Sequence, residues 1–347
     1  MHVGCRSYEG ARNVKENSHV TCVLLNPTID HVHEIDHFAV GGTFKIQATR
    51  VFPVGKAISV ALGLRSLDEQ PRVIALIGKN DIKTYRDFLG TNGIPAALIP
   101  VNGTTRRNTT IVDPAEGTVT HLRETGFTAS EKHVLVIKDH LKKMAKTAEN
   151  WAIFSGSTPP GLSETTQAEL VEHASNLGYK TLVDISGAPL SQVMARRKPW
   201  LLKINRTELD ELLGRRSSDV ELDTSTAVMT IDALNAIASD ARDLLDEHLA
   251  TVAITLGAIG AILVTKDKAF YGVMGDMTGI KIIDTVGAGD AFLAGLIHAL
   301  LRDASPDEML KEAISSATAK ILVHGAGLFS RVEHDGFLHR VQVKALS

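Results

Sequence analysis

The chain has 347 residues, enough for one large domain or two of about 150. With 44% hydrophobic and 22% charged residues it reads as a globular chain, which excludes overall disorder. Its 37 lysines and arginines against 40 aspartates and glutamates, a net charge of −3, leave no broad basic surface for a polyanion and exclude a dedicated nucleic-acid binder. Residues 1–19 carry scattered charges and no apolar h-region, so they read as a flexible N-terminal extension, not a secretory signal. Two cysteines, Cys5 and Cys22, build neither a disulfide framework nor a cysteine-rich metal site and fit a cytoplasmic protein.

From residue 20 the chain alternates short apolar runs with helix-like segments. His19–Leu25 reads as a buried strand. Val32–Ile35 and Phe44–Val51, with Gly41-Gly42 between them, are strand-like. A helix follows at Lys56–Leu67, a strand at Arg72–Ile77 and a helix at Ile82–Leu89. Asn108–Val112 and Thr118–Leu122 flank a hairpin turn at Asp113–Gly117. Next come a helix at Glu131–Lys146, a strand at Trp151–Phe154, a helix at Glu164–Leu177 and a strand at Lys180–Val183. Helices at Arg206–Leu213 and Ile231–His248 precede a strand at Thr251–Thr255. The most apolar stretch, Thr251–Val264, is too short to span a bilayer and is broken by glycines, so no membrane partner is expected. Ile280–Ile283 reads as an apolar strand end, and helices at Ala288–Leu301 and Pro306–Leu322 close the series. This alternation predicts an α/β fold with a doubly wound sheet. The four irregular β pieces fit either a small separate sheet, such as a lid, or an edge extension of the main one.

The most informative segment is Asp284-Thr-Val-Gly-Ala-Gly-Asp290, running into an apolar helix. Gly287 and Gly289 permit a tight turn with exposed backbone N–H groups, and the helix dipole adds partial positive charge, which together make an anion pocket. A carboxylate beside such a pocket suits phosphoryl transfer, with Asp290 taking the proton of an attacking hydroxyl. The plainer reading is a glycine turn followed by a first-turn acid that the dipole favours. There is no Walker A motif. His33-Glu34-Ile35-Asp36-His37 matches the H-E-x-x-H of zinc proteases, but that chemistry needs a helix and the setting here is strand-like.

Asp284–Phe292 closely resembles the C-terminal signature of the ribokinase-like (PfkB) carbohydrate kinases. Other segments resemble that family in order along residues 20–325. Asn26-Pro-Thr-Ile-Asp30 is similar to N-P-x-[IL]-D, and Pro53–Ala61 to P-G-G-K-G-x-N-V-A. Thr105-Arg-Arg-Asn108 is similar to T-R-x-N, Ser155–Gly161 to S-G-S-x-P-x-G, Lys203–Glu208 to K-P-N-x-x-E, and Thr255–Ala261 to T-L-G-x-x-G-A. The branch resembled is that of 1-phosphofructokinase and tagatose-6-phosphate kinase.

The resemblance implies a three-layer α/β/α ribokinase-like fold over residues 20–347, with a small β-sheet lid from about 31–52 and 106–123. It implies ATP-dependent phosphorylation of a sugar phosphate, with Mg²⁺, room for a monovalent cation, and a homodimer formed through the lids. It makes Asp290 the catalytic base and Gly287, Ala288 and Gly289 the anion hole. Asp30, Lys45, Gly55, Lys56, Ser59 and Arg106 fall at substrate-binding positions. There, Lys45, Lys56 and Arg106 suit a substrate that already carries phosphate. Lys203, Asn205, Glu208, Thr255, Gly257 and Gly260 fall at nucleotide positions, with Asn205 and Glu208 near magnesium through water.

The chain departs from the pattern mainly in one loop. Val54 and Ala57 stand where the branch has glycines, Ser59 where it has a sugar-contacting Asn, and Ile204 where it has Pro. A branched Val does not readily take the φ > 0 open to Gly. The same residues therefore also admit a kinase of an unphosphorylated sugar or nucleoside, or a catalytically weak sugar-phosphate-binding homologue.

Overall fold

The structure is a computed structural model that describes residues 18–145, 149–215 and 229–347. The expected N-terminal extension, apart from its last two residues, lies outside the described residues. The first half contains β1 (Ser18–Leu24), β2 (Thr28–Glu34), β3 (Ala48–Val54), α1 (Lys56–Ser66), β4 (Arg72–Gly78), α2 (Ile82–Thr91) and β5 (Ala96–Val101). It continues with β6 (Arg106–Asp113), β7 (Thr118–Arg123), α3 (Glu131–Met144) and β8 (Glu149–Ser155). Then come α4 (Thr166–Asn176), β9 (Lys180–Asp184), α5 (Ala188–Arg196), β10 (Leu201–Asn205), α6 (Arg206–Leu212) and α7 (Ile231–Arg242). The last part holds β11 (Thr251–Thr255), β12 (Ala261–Thr265), β13 (Ala269–Met274), α8 (Ala288–Leu300), α9 (Pro306–Lys320), α10 (Arg331–Leu338) and β14 (Val341–Leu346).

Ten strands form one sheet in the order β14-β13-β12-β11-β10-β9-β8-β1-β4-β5. The pairs from β5 to β11 are parallel, while β12, β13 and β14 add an antiparallel edge. Successive residues of β1 serve opposite faces, as strand alternation requires. Cys22 and Leu24 join the core under α1, α8 and α9, and Val23 and Leu25 join the core under α3, α4 and α7. Two apolar cores on either side of one sheet make the three layers.

The irregular β pieces form a second sheet, β3-β2-β6-β7, and not an extension of the first. Tyr85 of α2 ties its base: the phenol donates to Thr28 O at 2.6 Å and Val54 O at 3.1 Å. His31 and His33 lie in β2, which ends at Glu34, and His37 lies beyond it at φ 54°. The H-E-x-x-H pattern is therefore strand and turn, and His37 does not continue the strand face of His33.

Three sequence expectations are corrected: the helix expected at Ile231–His248 ends at Arg242, the strand expected at Phe44–Val51 starts only at Ala48, and the third concerns Ile280–Ile283. Ile280–Ile283 is not a strand end, and it pairs with no strand of either sheet. Instead Ile283 N and Asp284 N donate to Ile321 O at 2.8 and 3.2 Å, just past α9, while Ile282 and Ile283 stay exposed.

Candidate active site

The turn before α8 supplies the first part of the site. Gly287 caps the helix at φ 81°, and a Cβ there would stand 3.1 Å from Ala326 Cα, so both conformation and space demand glycine. The first amides of a helix have no intrahelical acceptor. That of Ala288 is occupied, donating to Thr285 O at 3.2 Å. Asp290 sits in the first turn of α8 and is 7% exposed. Burial, and then the negative charge of Asp184, push its carboxyl up to about 7. Lys56, Lys203 and a hydrogen bond from the Ser59 hydroxyl pull the other way.

Asp184, at the end of β9, is the residue that the sequence reading missed. It accepts from Lys203 Nζ at 3.1 Å, Lys56 Nζ at 3.3 Å and Ser155 Oγ at 3.0 Å. Burial works against its charge, but Lys203 and Lys56 outweigh it and bring the carboxyl down to about 2. The signal that could have found it is positional. Ligands of open α/β sheets gather beyond the carboxyl ends of the strands, where Asp184 lies.

Lys203 is nearly buried, and a Cβ on Gly289 would stand 3.1 Å from its Nζ, so the ammonium lies against the first turn of α8. Lys56, the first residue of α1, is raised chiefly by the charge of Asp184, with Asp290 and Glu208 adding to it. Lys56, Asp184, Lys203 and Asp290 thus form one alternating charge cluster at the start of α8.

Several expected site residues are engaged within the chain or stand apart from the cluster. Ser59, expected at the sugar, is 1% exposed and bonds Asp290. Asn205 and Glu208 form a reciprocal cap on α6: Asn205 Oδ1 accepts from Glu208 N, and Glu208 Oε2 from Asn205 N, each at 2.8 Å. The amide oxygen of Asn205 is thereby committed to the helix, whereas Glu208 keeps its second oxygen. This donor set fits magnesium held through water at Glu208, with Asn205 positioning it. Lys45 is exposed on the loop between β2 and β3, with no hydrogen bond or ion pair among the described residues. The three basic residues expected at the substrate do not converge within the chain: Lys56 serves Asp184, and Arg106 donates to Pro27 O at 3.2 Å and Asn26 O at 3.3 Å.

Two cavities hold other expected site residues on their walls. One, of about 550 Å³, is lined by Asn26, Arg106, Gly156, Ser157 and Ser186. The other, of about 400 Å³, lies between the small sheet and the turn leading to α8, with Asp30, Thr110, Asp284 and Val286 on its walls. Asp30 there accepts from Thr28 Oγ1 at 2.9 Å and Asn108 Nδ2 at 3.1 Å, and burial raises its carboxyl. Gly55 adopts φ 135°, and a Cβ would stand 2.8 Å from Leu24 Cδ2, so its packing already demands glycine. Thr255 ends β11, and a 3₁₀ turn at Gly257–Ile259 leads into β12. Gly260, at φ 122°, would place a Cβ 2.2 Å from Gly272 O, so close backbone contact demands glycine there too.

Comparison with known proteins bears on the family and the fold. Residues 23–332 match the model of the pfkB family carbohydrate kinases. The 1-phosphofructokinase of Rhodobacter capsulatus is 30% identical over 280 residues, 81% of this chain and 83% of that one. A tagatose-6-phosphate kinase of Staphylococcus epidermidis is 26% identical, over 93% of this chain and 99% of its own. Phosphofructokinase-2 of Escherichia coli, solved in complex with potassium, shares the fold with a TM-score of 0.80 at 22% identity, over 93% and 98% of the two chains. The ordered motifs, the three-layer fold and the family match agree: the chain belongs to the pfkB family of carbohydrate kinases.

Proposed function

We propose that this carbohydrate kinase phosphorylates a sugar phosphate, in the manner of 1-phosphofructokinase or tagatose-6-phosphate kinase. The observation that carries the reading is Asp290: a carboxyl buried in the first turn of α8, with its pKa raised to about 7, beside two lysines. A general base works best when its pKa lies near the working pH.

The sugar hydroxyl oxygen attacks the γ-phosphorus of ATP, and the bond to the β–γ bridging oxygen breaks, releasing ADP. The hydroxyl proton goes to Asp290. Gly287 and Gly289 offer their amides to the transferring group, since the Ala288 amide is already bonded to Thr285 O. Lys203 and Lys56 balance the phosphate charge, and Asp184 holds both ammonium groups in place. Magnesium, when bound with the nucleotide, neutralises phosphate charge, and Glu208 would hold it through water. Thr255, Gly257 and Gly260 form the nucleotide side. Asp30 holds sugar hydroxyls, and Arg106, whose charge acts on Asp30, receives the phosphate the sugar already carries. The small sheet acts as the lid. Its exposed Val51, Val119 and Leu122 support pairing with a second copy through it.

The test is ADP release from Mg·ATP with fructose 1-phosphate, fructose 6-phosphate, tagatose 6-phosphate, fructose, ribose and adenosine. Turnover on one phosphorylated sugar is expected. Turnover confined to free sugars or adenosine would replace the substrate class. Nucleotide binding without turnover would make the chain a sugar-phosphate-binding homologue.

A further inference from the structure

Lys320, the last residue of α9, is wholly buried, and the reaction described above does not use it. Its ammonium donates to Asp284 O at 3.1 Å and Val323 O at 3.2 Å. Among the described residues no carboxylate lies within ion-pair distance. The Asp284 carboxylate is engaged otherwise, accepting from Val286 N at 2.9 Å and Gly325 N at 3.0 Å. A buried ammonium with no paired carboxylate is costly and is kept where oxygen dipoles replace its water. The two carbonyls come from different segments: the turn that opens into α8 and the loop that follows α9. Backbone carbonyls converging on one positive charge are also the surroundings in which proteins hold bare monovalent cations.

The position matters because the 284–287 turn sets where the first amides of α8 stand. Gly287 packs on Ala326, and Gly325 N and Ile321 O bond the Asp284 region, so the turn and the 321–327 loop are tied to each other. We propose that Lys320 is a built-in cation, a positioning residue whose ammonium clasps Asp284 O and Val323 O. It holds the anion-receiving turn in shape, and turnover needs no added monovalent cation. The catalytic consequence rests on the phosphoryl-transfer reading above; the cation site itself does not.

The experiment compares the full-length protein with Lys320→Ala and Lys320→Met in potassium, ammonium or tetramethylammonium chloride at matched ionic strength. Two readouts are taken: ADP release with the best sugar, and thermal melting without substrates. The native chain is expected to give the same rate and melting temperature in all three salts. Lys320→Ala is expected to lose about tenfold to a hundredfold in rate in tetramethylammonium, the scale of a misplaced reacting group. Potassium or ammonium, entering the vacated space, is expected to restore part of the rate and raise the melting temperature of this variant alone. Lys320→Met, which fills the space without charge, is expected to lose rate and gain nothing from either ion.

A native enzyme stimulated severalfold by potassium would overturn the proposal, as would a folded Lys320→Ala that keeps its rate. Loss in Lys320→Ala that no cation relieves in either readout would do the same. If Lys320→Ala does not fold, the native salt response and Lys320→Met decide. If no sugar is turned over at all, the proposed function fails, while melting still tests the cation site.

Discussion

Lys203 Nζ lies 3.1 Å from Asp184 Oδ1, and both side chains are almost shut off from solvent. Lys56 meets the same oxygen at 3.3 Å from the more open side. One carboxylate therefore holds two ammonium groups beside Asp290, while its own charge raises the pKa of that residue. In the proposed reaction the cluster sets both where phosphate charge is balanced and when the base is ready.

The pH dependence of kcat/KM should show this coupling. With the Asp290 carboxyl at about 7, and the ionised form needed to accept a proton, activity should fall as pH drops below neutrality. Removing the Asp184 charge takes away repulsion, so Asp184→Asn should move the acid limb to lower pH while lowering the rate. Removing the Ser59 hydroxyl takes away a bond that favours the ionised form, so Ser59→Ala should move the limb to higher pH. Limbs that stay in place in both variants would show that another group controls the profile.

Stability should respond in the opposite sense to activity. A carboxyl whose folded pKa is raised destabilises the fold once ionised, so stability is full below its unfolded value of 3.8 and is lost as pH rises through about 7. Asp290→Asn should therefore melt about 3 °C higher than the native chain at pH 8, the scale of a modest gain in a domain this size. It should show no gain near pH 4. Equal gains at both pH values would mean that the raised pKa is not the source.

Glu208 has two roles that one substitution separates. Gln at this position keeps the reciprocal cap with Asn205, because its side-chain oxygen still accepts from the Asn205 amide. Glu208→Gln should melt like the native chain but need about tenfold more magnesium for half-maximal rate, the loss expected at a metal's supporting shell. A melting change without a magnesium change would assign Glu208 to the helix alone.

The glycines of the turn between β11 and β12 should differ in their cost to stability. Gly260→Ala drives a Cβ onto Gly272 O, whereas Gly257→Ala, at φ 64°, meets no atom within 4 Å. The second should cost about 1–2 kcal/mol of left-handed strain, and the first clearly more. Denaturant titration of both variants measures the difference.

Much of the fold was legible because strands buried on both faces read as continuous apolar runs. Thr251–Thr255 matches its strand end for end, and Arg206–Leu213 exceeds its helix by one residue. The two outer strands of the antiparallel edge were not. Ala269–Met274 and Val341–Leu346 are partly exposed and lack such runs, and their pairing joins segments about 70 residues apart. In the site, the glycines and Asp290 stand in a local motif and could be read directly. Asp184 stands in no motif, since its role comes from neighbours brought in from α1 and β10. The Ser59 bond to Asp290 was hidden for the same reason, as it joins two helices more than 200 residues apart.

The role of Asp290 as base is decided by ADP release from Mg·ATP and a phosphorylated sugar, by the native chain and by Asp290→Asn under identical conditions. Native turnover is expected, with a loss of about 10²-fold or more in kcat in the variant, the usual weight of a general base. A folded Asp290→Asn that turns over at the native rate would contradict it.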